Sequence, residues 1–385
     1  MRTKVKTNIN ELFHKKKVLN VCAPMVRYSK LQFRNLVRLH NVDLCFTPMI
    51  VADSFCRSEQ ARQNEFTTES GDTPLIVQYA ANCPEDFVAA SQMVYPYADG
   101  VDLNCGCPQR WAMQDGYGCA LLTQSDLIKD MVTSIRNKLP NSFSISVKIR
   151  LLSSIRETVE LCRQLEHCGV TFITIHGRTP SQKTEPVNVA AFIEVQKSIA
   201  IPLIINGDIK HLDDAKKLAS LTNCNGVMAG RGILSNPSLF DGTNKTTENV
   251  IQEWVNICNA EGNNVSFQTY HHHLVFMLEK VLPKRVRSVF NSLSTKTAVT
   301  ESLADLFGII PQPINSSNKV DCYFEDSYYK GQTNKVCDKC CKVKQNCSCL
   351  KFIYDSSENG KYFYDACDDD DSDGDMYLGN TLFDQ

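Results

Sequence analysis

Eight short apolar runs, each followed by a polar or amphipathic stretch, predict an α/β chain of the TIM (β/α)8 barrel type. The runs cover residues 18–23, 44–47, 75–79, 100–104, 144–149, 172–176, 202–206 and 226–229. Most lack polar alternation, as parallel strands covered on both faces do. A doubly wound open sheet is the competing arrangement. It would place a G-x-G-x-x-G turn after its first strand, and no such turn follows residue 23.

Helical periodicity fills the gaps. Residues 29–39 follow the first run and 84–93 the third, with 125–138, 154–168, 188–198 and 213–220 after later ones. Ser29, Ser125 and Ser154 stand where N-caps are expected. After Asn236-Pro237 the alternation stops, and 249–260, 267–281 and 295–306 read as three amphipathic helices with no strands between them. The expected organisation is an N-terminal extension (1–17), a barrel (18–240), a helical domain (241–310) and a polar, Cys-rich and acidic tail (311–385).

Composition sets the limits. A chain of 385 residues has room for a full core plus a smaller domain. Hydrophobic and charged contents of 43% and 22% are those of a soluble globular protein. No run approaches the ~18 apolar residues of a membrane helix, so no membrane partner is expected. The first residues are basic (Arg2, Lys4, Lys6, Lys15) but include Glu11 and no apolar core, unlike a secretory signal. The net charge of −2 hides a split, because residues 321–385 carry 7 Lys against 14 Asp and Glu. The body is therefore mildly basic, which suits a polyanionic partner without requiring one. Its cysteines are scattered through apolar contexts, as in a reducing compartment. A cytoplasmic location, with the nucleus as the other option, and a monomer are the expectations.

The chemistry sits where the apolar runs end, since barrel enzymes build their sites at the C-terminal ends of the strands. Those ends carry Pro24-Met25-Val26, Gln78, Asn104 with Cys107, Lys148 with Arg150, His176 with Arg178, Asn206-Gly207-Asp208 and Gly230-Arg231-Gly232. Each has a bland alternative. Cys107 would serve as a small apolar residue, Lys148 as a surface cation, His176 as a core histidine, and Gly207 and Gly230 as turn formers. Core packing does not account for so many polar groups at equivalent positions. The glycines after the seventh and eighth runs let backbone N–H groups approach a phosphate, and Arg231 adds a cation. Lys148 suits a developing anion such as the N1/O2 edge of a reduced flavin, and Gln78 and Asn104 offer amides to its pyrimidine edge. Cys107, between Gly106 and Pro108 and just before the second turn Asp115-Gly116-Tyr117-Gly118, suits a proton donor or nucleophile.

Taken together, Ala23-Pro24-Met25, Gln78, Asn104-Cys105-Gly106-Cys107-Pro108, Lys148-Ile149-Arg150, His176-Gly177-Arg178-Thr179, Asn206-Gly207-Asp208 and Gly230-Arg231-Gly232 closely resemble the motif series of the tRNA-dihydrouridine synthases. The similarity runs from residue 18 to 240 and fades toward 310. The His-Gly-Arg-Thr-Pro segment followed by Glu185-Pro186-Val187 is most similar to the eukaryotic subgroup acting at D-loop positions 20a and 20b. The resemblance implies FMN as cofactor, NADPH (or NADH) as electron source and tRNA as partner. It implies that Pro24, Met25, Val26, Gln78, Lys148, His176, Asn206, Gly207, Asp208, Gly230 and Arg231 bind FMN. It further implies hydride delivery to C6 of a uridine drawn out of the tRNA fold, with Cys107 as the acid that protonates C5. Cys105 is assigned to packing. No role is assigned to Arg150 or Arg178 beyond the rim.

Several features point elsewhere. Lys280, Lys284, Arg285, Arg287 and Lys296 concentrate charge on the helical region, as a phosphate-contacting face or a solvated one. His271-His272-His273 cannot converge on one ion from consecutive helical positions. Cys337-x-x-Cys340-Cys341 with Cys347-x-Cys349 approaches a zinc pattern, but one pair has a single intervening residue and no His follows. Asp369-x-Asp371-x-Asp373-Gly374 starts like a calcium loop, yet Asn380 stands at its twelfth position, so an acidic disordered tail is the better reading. No metal site is assigned. The competing functions are another FMN barrel enzyme on a small molecule (dihydroorotate dehydrogenase-like or ene-reductase), a Schiff-base aldolase using Lys148, and a non-catalytic tRNA-binding protein.

Overall fold

The computed structural model describes residues 6–260, 265–313 and 322. Every one of the eight apolar runs forms a strand. They are β1 (Leu19–Cys22), β2 (Leu44–Phe46), β4 (Leu75–Ala80), β5 (Gly100–Cys105), β6 (Ser144–Arg150), β7 (Phe172–His176), β8 (Leu203–Asn206) and β9 (Gly226–Ala229), with a two-residue β3 (Ile50–Val51) that pairs only with the end of β4. All pairings are parallel, and β2–β4 together with β1–β9 close the sheet into a barrel.

Closure sorts the side chains by parity. On β6, Ile145, Val147 and Ile149 face outward into the apolar layer under the helices. Ser146 and Lys148 take the opposite face, which is the lumen. Apolar residues fill the lower part of that lumen. Leu19, Val21, Leu44, Phe46, Ile76, Phe172, Ile204 and Met228 form one buried cluster. The N-terminal extension joins it: Ile9 and Phe13 of the helix Ile9–Lys15 are buried there, with the Phe13 ring 5.5 Å from that of Phe172. This helix plugs the N-terminal mouth of the barrel, a role not visible in the sequence reading. Polar groups are thereby confined to the other end.

Cap positions differ from expectation at two of three serines. Ser154 forms a full capping box with Glu157. Ser125 is instead the first helical residue after Gln124. Ser29 lies before the helix Leu31–Arg38 and its hydroxyl accepts from the Met25 N–H at 2.9 Å, tightening the turn after β1. Short helices such as Ala52–Arg57, Glu59–Glu65, Arg110–Gln114 and Arg231–Ser235 escaped the sequence reading because one or two turns carry too little periodicity.

Among the described residues beyond the barrel lie four α-helices rather than three: Glu248–Asn259, Phe267–Leu278, Lys284–Asn291 and Lys296–Phe307. The stretch expected as one helix to residue 281 stops at Leu278. Pro283 excludes helical backbone at the residue before it and starts a new helix after it. These helices pack on the barrel. His273, fully buried, lies within hydrogen-bond distance of the Thr269 and Tyr28 carbonyls and sits 4.5 Å from the Trp254 ring. His271 faces the Phe290 carbonyl at 3.0 Å. Both are packing residues, and no metal-binding cluster occurs among the described residues. The Cys337–Cys349 and Asp369–Gly374 patterns lie outside the described residues. No described helix is long and apolar enough to cross a membrane.

Candidate active site

Strand register sets the levels of the rim. Asn104 pairs with Lys148, and Lys148 with Thr174. Two residues further along, Arg150, His176 and Asn206 are in register. Around the closure, the N–H of Ala23 donates to the Ala229 carbonyl at 3.0 Å, which brings Pro24-Met25-Val26 beside Gly230. The twelve residues expected from the sequence as the acid and the FMN ligands therefore lie at the C-terminal end of the barrel.

Cys107 sits on a turn that is pinned from three sides. Asn104 Oδ1 accepts from the N–H groups of Gly106 and Cys107 at 3.0 and 2.9 Å. Arg150 Nε donates to the Gly106 carbonyl, and its Nη1 donates to the Thr179 and Gln182 carbonyls, tying this turn to the loop after β7. The N–H of Cys119 donates to the Cys107 carbonyl at 2.9 Å. The thiol itself lies 3.7 Å from Gln109 Oε1, which also accepts from Trp111 Nε1. It packs against the buried cluster of Met49, Ala80, Ala112 and Tyr117. Burial pushes the Cys107 pKa up, opposed by the Gln109 N–H and by the charges of Arg150 and Lys148. The thiol is thus protonated at neutral pH. Cys105 is completely buried, as assigned.

Gln78 and Asn104 are bonded to each other. Asn104 Nδ2 donates to Gln78 Oε1 at 2.8 Å, and Gln78 Nε2 donates to Asp102 Oδ2 at 2.7 Å. Each amide keeps unused capacity for a ligand, one N–H on Gln78 among it. Asp102 and its second partner Ser146 were missed by the sequence reading. The signal was present: Ser-Ile-Ser-Val-Lys-Ile-Arg alternates strictly, and Asp102 is a mid-strand carboxylate on an otherwise apolar run.

Lys148 is the cation of the lumen. Its ammonium has no hydrogen bond or ion pair among the described residues, and burial, followed by the nearby Arg150, lowers its pKa to about 8. Its register partner Thr174 is also buried with no partner for its hydroxyl. Two unsatisfied polar groups at one level of a barrel mouth fit a polar ligand edge held there.

The phosphate-type turns form the opposite wall. Arg178, 3% exposed, donates to the Glu185 carbonyl, to Asp208 and to Nε2 of His176. A guanidinium only donates, so Nε2 accepts and the His176 proton resides on Nδ1. Burial, then the charges of Lys148, Arg150, Arg178 and Arg231, pushes the His176 pKa down to about 2. Four cations around a neutral imidazole make this wall receptive to an anion. Gly207 has φ +117°, and a Cβ there would lie 2.5 Å from Val187 Cγ1 and 2.9 Å from His176 Cδ2. Only glycine fits that approach. At Gly230 a built Cβ would meet Ala23 Cβ at 3.6 Å and Met25 Sδ at 3.9 Å, ordinary contacts that place this turn beside the residues following β1. Asn206 is held by the Met228 carbonyl.

A closed barrel with a protonated thiol, an unpartnered lysine and a cationic wall gathered at its C-terminal rim has the layout of a (β/α)8-barrel enzyme. Residues 21–306 match the family model described as dihydrouridine synthase (Dus), and the chain belongs to that family. It is 46% identical over 299 residues to the mouse "tRNA-dihydrouridine(20a/20b) synthase [NAD(P)+]-like" protein, covering 77% of this chain and 92% of that one. It is 41% identical over 285 residues to the Saccharomyces cerevisiae "tRNA-dihydrouridine(20a/20b) synthase [NAD(P)+]", covering 72% and 77%. A Caenorhabditis elegans "uncharacterized tRNA-dihydrouridine synthase-like protein" is 44% identical over 286 residues, covering 74% of this chain and all of that one. The family match selects a dihydrouridine synthase over the small-molecule flavin barrels and the aldolase considered from sequence.

Proposed function

We propose that this enzyme reduces uridine to 5,6-dihydrouridine at positions 20a and 20b of the tRNA D-loop. FMN is the bound flavin, NADPH (or NADH) the electron donor, and Cys107 the acid. The observation that carries this reading is the placement of the Cys107 turn, held by Asn104, beside Lys148, the register partner of Asn104, at one rim. The donor set suits FMN, with a cationic wall for a phosphate and an orphaned lysine and hydroxyl for a polar ring edge.

Pro24, Met25, Val26, Gln78, Lys148, His176, Asn206, Gly207, Asp208, Gly230 and Arg231 would hold the cofactor. When bound, FMN supplies the hydride for C6. The uridine must leave its stack to present its C5=C6 bond. Cys107 keeps its proton until carbanion character develops at C5, because burial disfavours the thiolate. Residues 18–240 act as the FMN-binding barrel and residues 241–310 as the tRNA-binding domain, working in the cytoplasm or nucleus. The use of a nicotinamide, NAD(P) in their names, and the 20a/20b sites are supported by the names of the relatives.

The test is Cys107→Ala. The purified variant should keep a flavin spectrum and lose dihydrouridine formation in tRNA lacking that modification. Turnover at the wild-type rate would remove Cys107 from the reaction.

A further inference from the structure

A buried carboxylate below the rim takes no part in the chemistry described above. Asp102 is fully buried, as is Ser146, while Gln78 is 1% and Asn104 8% exposed. Together they form one line of hydrogen bonds. Ser146 Oγ donates to Asp102 Oδ1 at 2.6 Å, Gln78 Nε2 to Asp102 Oδ2, Asn104 Nδ2 to Gln78 Oε1, and the Gly106 and Cys107 N–H groups to Asn104 Oδ1. From the cysteine turn to the carboxylate, every donor points the same way.

That common direction has a cause. The side-chain amides of Gln78 and Asn104 are nearly symmetric and could each stand either way round. The backbone N–H groups at the cysteine turn demand an oxygen from Asn104. Its nitrogen must then find an acceptor on Gln78, whose own nitrogen must find one further in. An ionised carboxylate is an acceptor only and supplies that terminus. An apolar group in its place would leave the Gln78 N–H buried and unpaired, and Gln78 would turn away from Asn104 to relieve this.

We propose that Asp102 is a positioning residue that orients the Gln78 and Asn104 amides and thereby holds the Cys107 turn, and its thiol, at the rim. The proposal rests on Cys107 being the acid only for its effect on turnover. Its effect on thiol position is independent of that reading.

The experiment uses the full-length protein at matched flavin content and measures two quantities. One is the rate of iodoacetamide alkylation at Cys107, resolved by peptide mass. The other is kcat and KM for tRNA. Asp102→Leu, an isostere with no acceptor, should raise alkylation of Cys107 about tenfold and lower kcat with KM little changed. Asp102→Ala serves the same purpose if the leucine variant does not fold. Asp102→Asn should react like wild type, because its oxygen can accept from Gln78 while its nitrogen donates to Ser146. Ser146→Ala should also leave the thiol protected, since its bond lies off the path to Cys107. Wild-type alkylation in both acceptor-free variants, or equal exposure of the thiol in Ser146→Ala, overturns the proposal. If Cys107→Ala keeps its turnover while Asp102→Leu exposes the thiol, the positioning role stands and only the acid assignment falls.

Discussion

Gly118 lies directly behind Cys107. A Cβ on Gly118 would stand 2.5 Å from the Cys107 carbonyl oxygen and 2.8 Å from its Cβ, and the glycine adopts φ +60°. The second glycine-rich turn is therefore a backstop for the thiol. Gly118→Ala should cost about 1–3 kcal/mol of stability and lower turnover more than flavin content. Gly116, with φ +79° and no atom nearer than 3.7 Å, has strain without the clash. Gly116→Ala should cost about 1 kcal/mol and spare turnover. Urea midpoints and initial rates of both variants distinguish the two, and equal effects would refute the backstop.

Lys148 carries a pH signature. Its folded pKa of about 8 lies below the ordinary 10.5, so in the flavin-free protein the unfolded chain binds the extra proton between those values. Stability conferred on the fold by this group is lowest below pH 8 and rises as pH climbs through 8 toward 10.5. Lys148→Met should abolish that rise, match or exceed wild-type stability at pH 7, and lose flavin on purification. Thermal melts across pH 7–10 with flavin absorbance test both halves.

Arg178 should be irreplaceable by lysine. It serves the Glu185 carbonyl, Asp208 and His176 at once, and one ammonium cannot span that fan of acceptors. Arg178→Lys should weaken FMN retention at least tenfold and cost about 1–3 kcal/mol. Equilibrium dialysis against FMN gives the answer, and an unchanged dissociation constant would show the wall to be held by other means.

The basic helical face is smaller than the sequence suggests. Arg287 donates to the Glu279 carbonyl and Lys296 to the Cys258 carbonyl, so both serve packing. Lys280, Lys284 and Arg285 remain exposed. Reversing Lys284 and Arg285 to Glu should raise KM for tRNA several-fold, with a shallower salt dependence and normal flavin content. Insensitivity of KM would leave this face as solvated surface.

Strand positions were legible in the chain itself, because a strand buried on both faces must be a short apolar run whatever surrounds it. The same rule placed Cys107, Lys148, His176 and Asn206 at strand ends and so at one rim. Short-range chemistry also predicted the N-cap at Ser154. Other features required the closed barrel. The plug of Ile9 and Phe13 depends on a mouth that exists only after β2 meets β4. The helix Lys284–Asn291 begins just after Pro283, in a stretch where the sequence pattern indicated no helix. The coupling of Asp102 through Gln78 and Asn104 to the Cys107 turn spans β4 and β5, and its direction follows from burial, which leaves each donor no acceptor but its neighbour. Patterning along the chain determines which segments become strands and where their ends lie, since it reports the environment of each residue alone. Pairwise partners across strands belong to the folded state, because they arise from distances that no single segment contains.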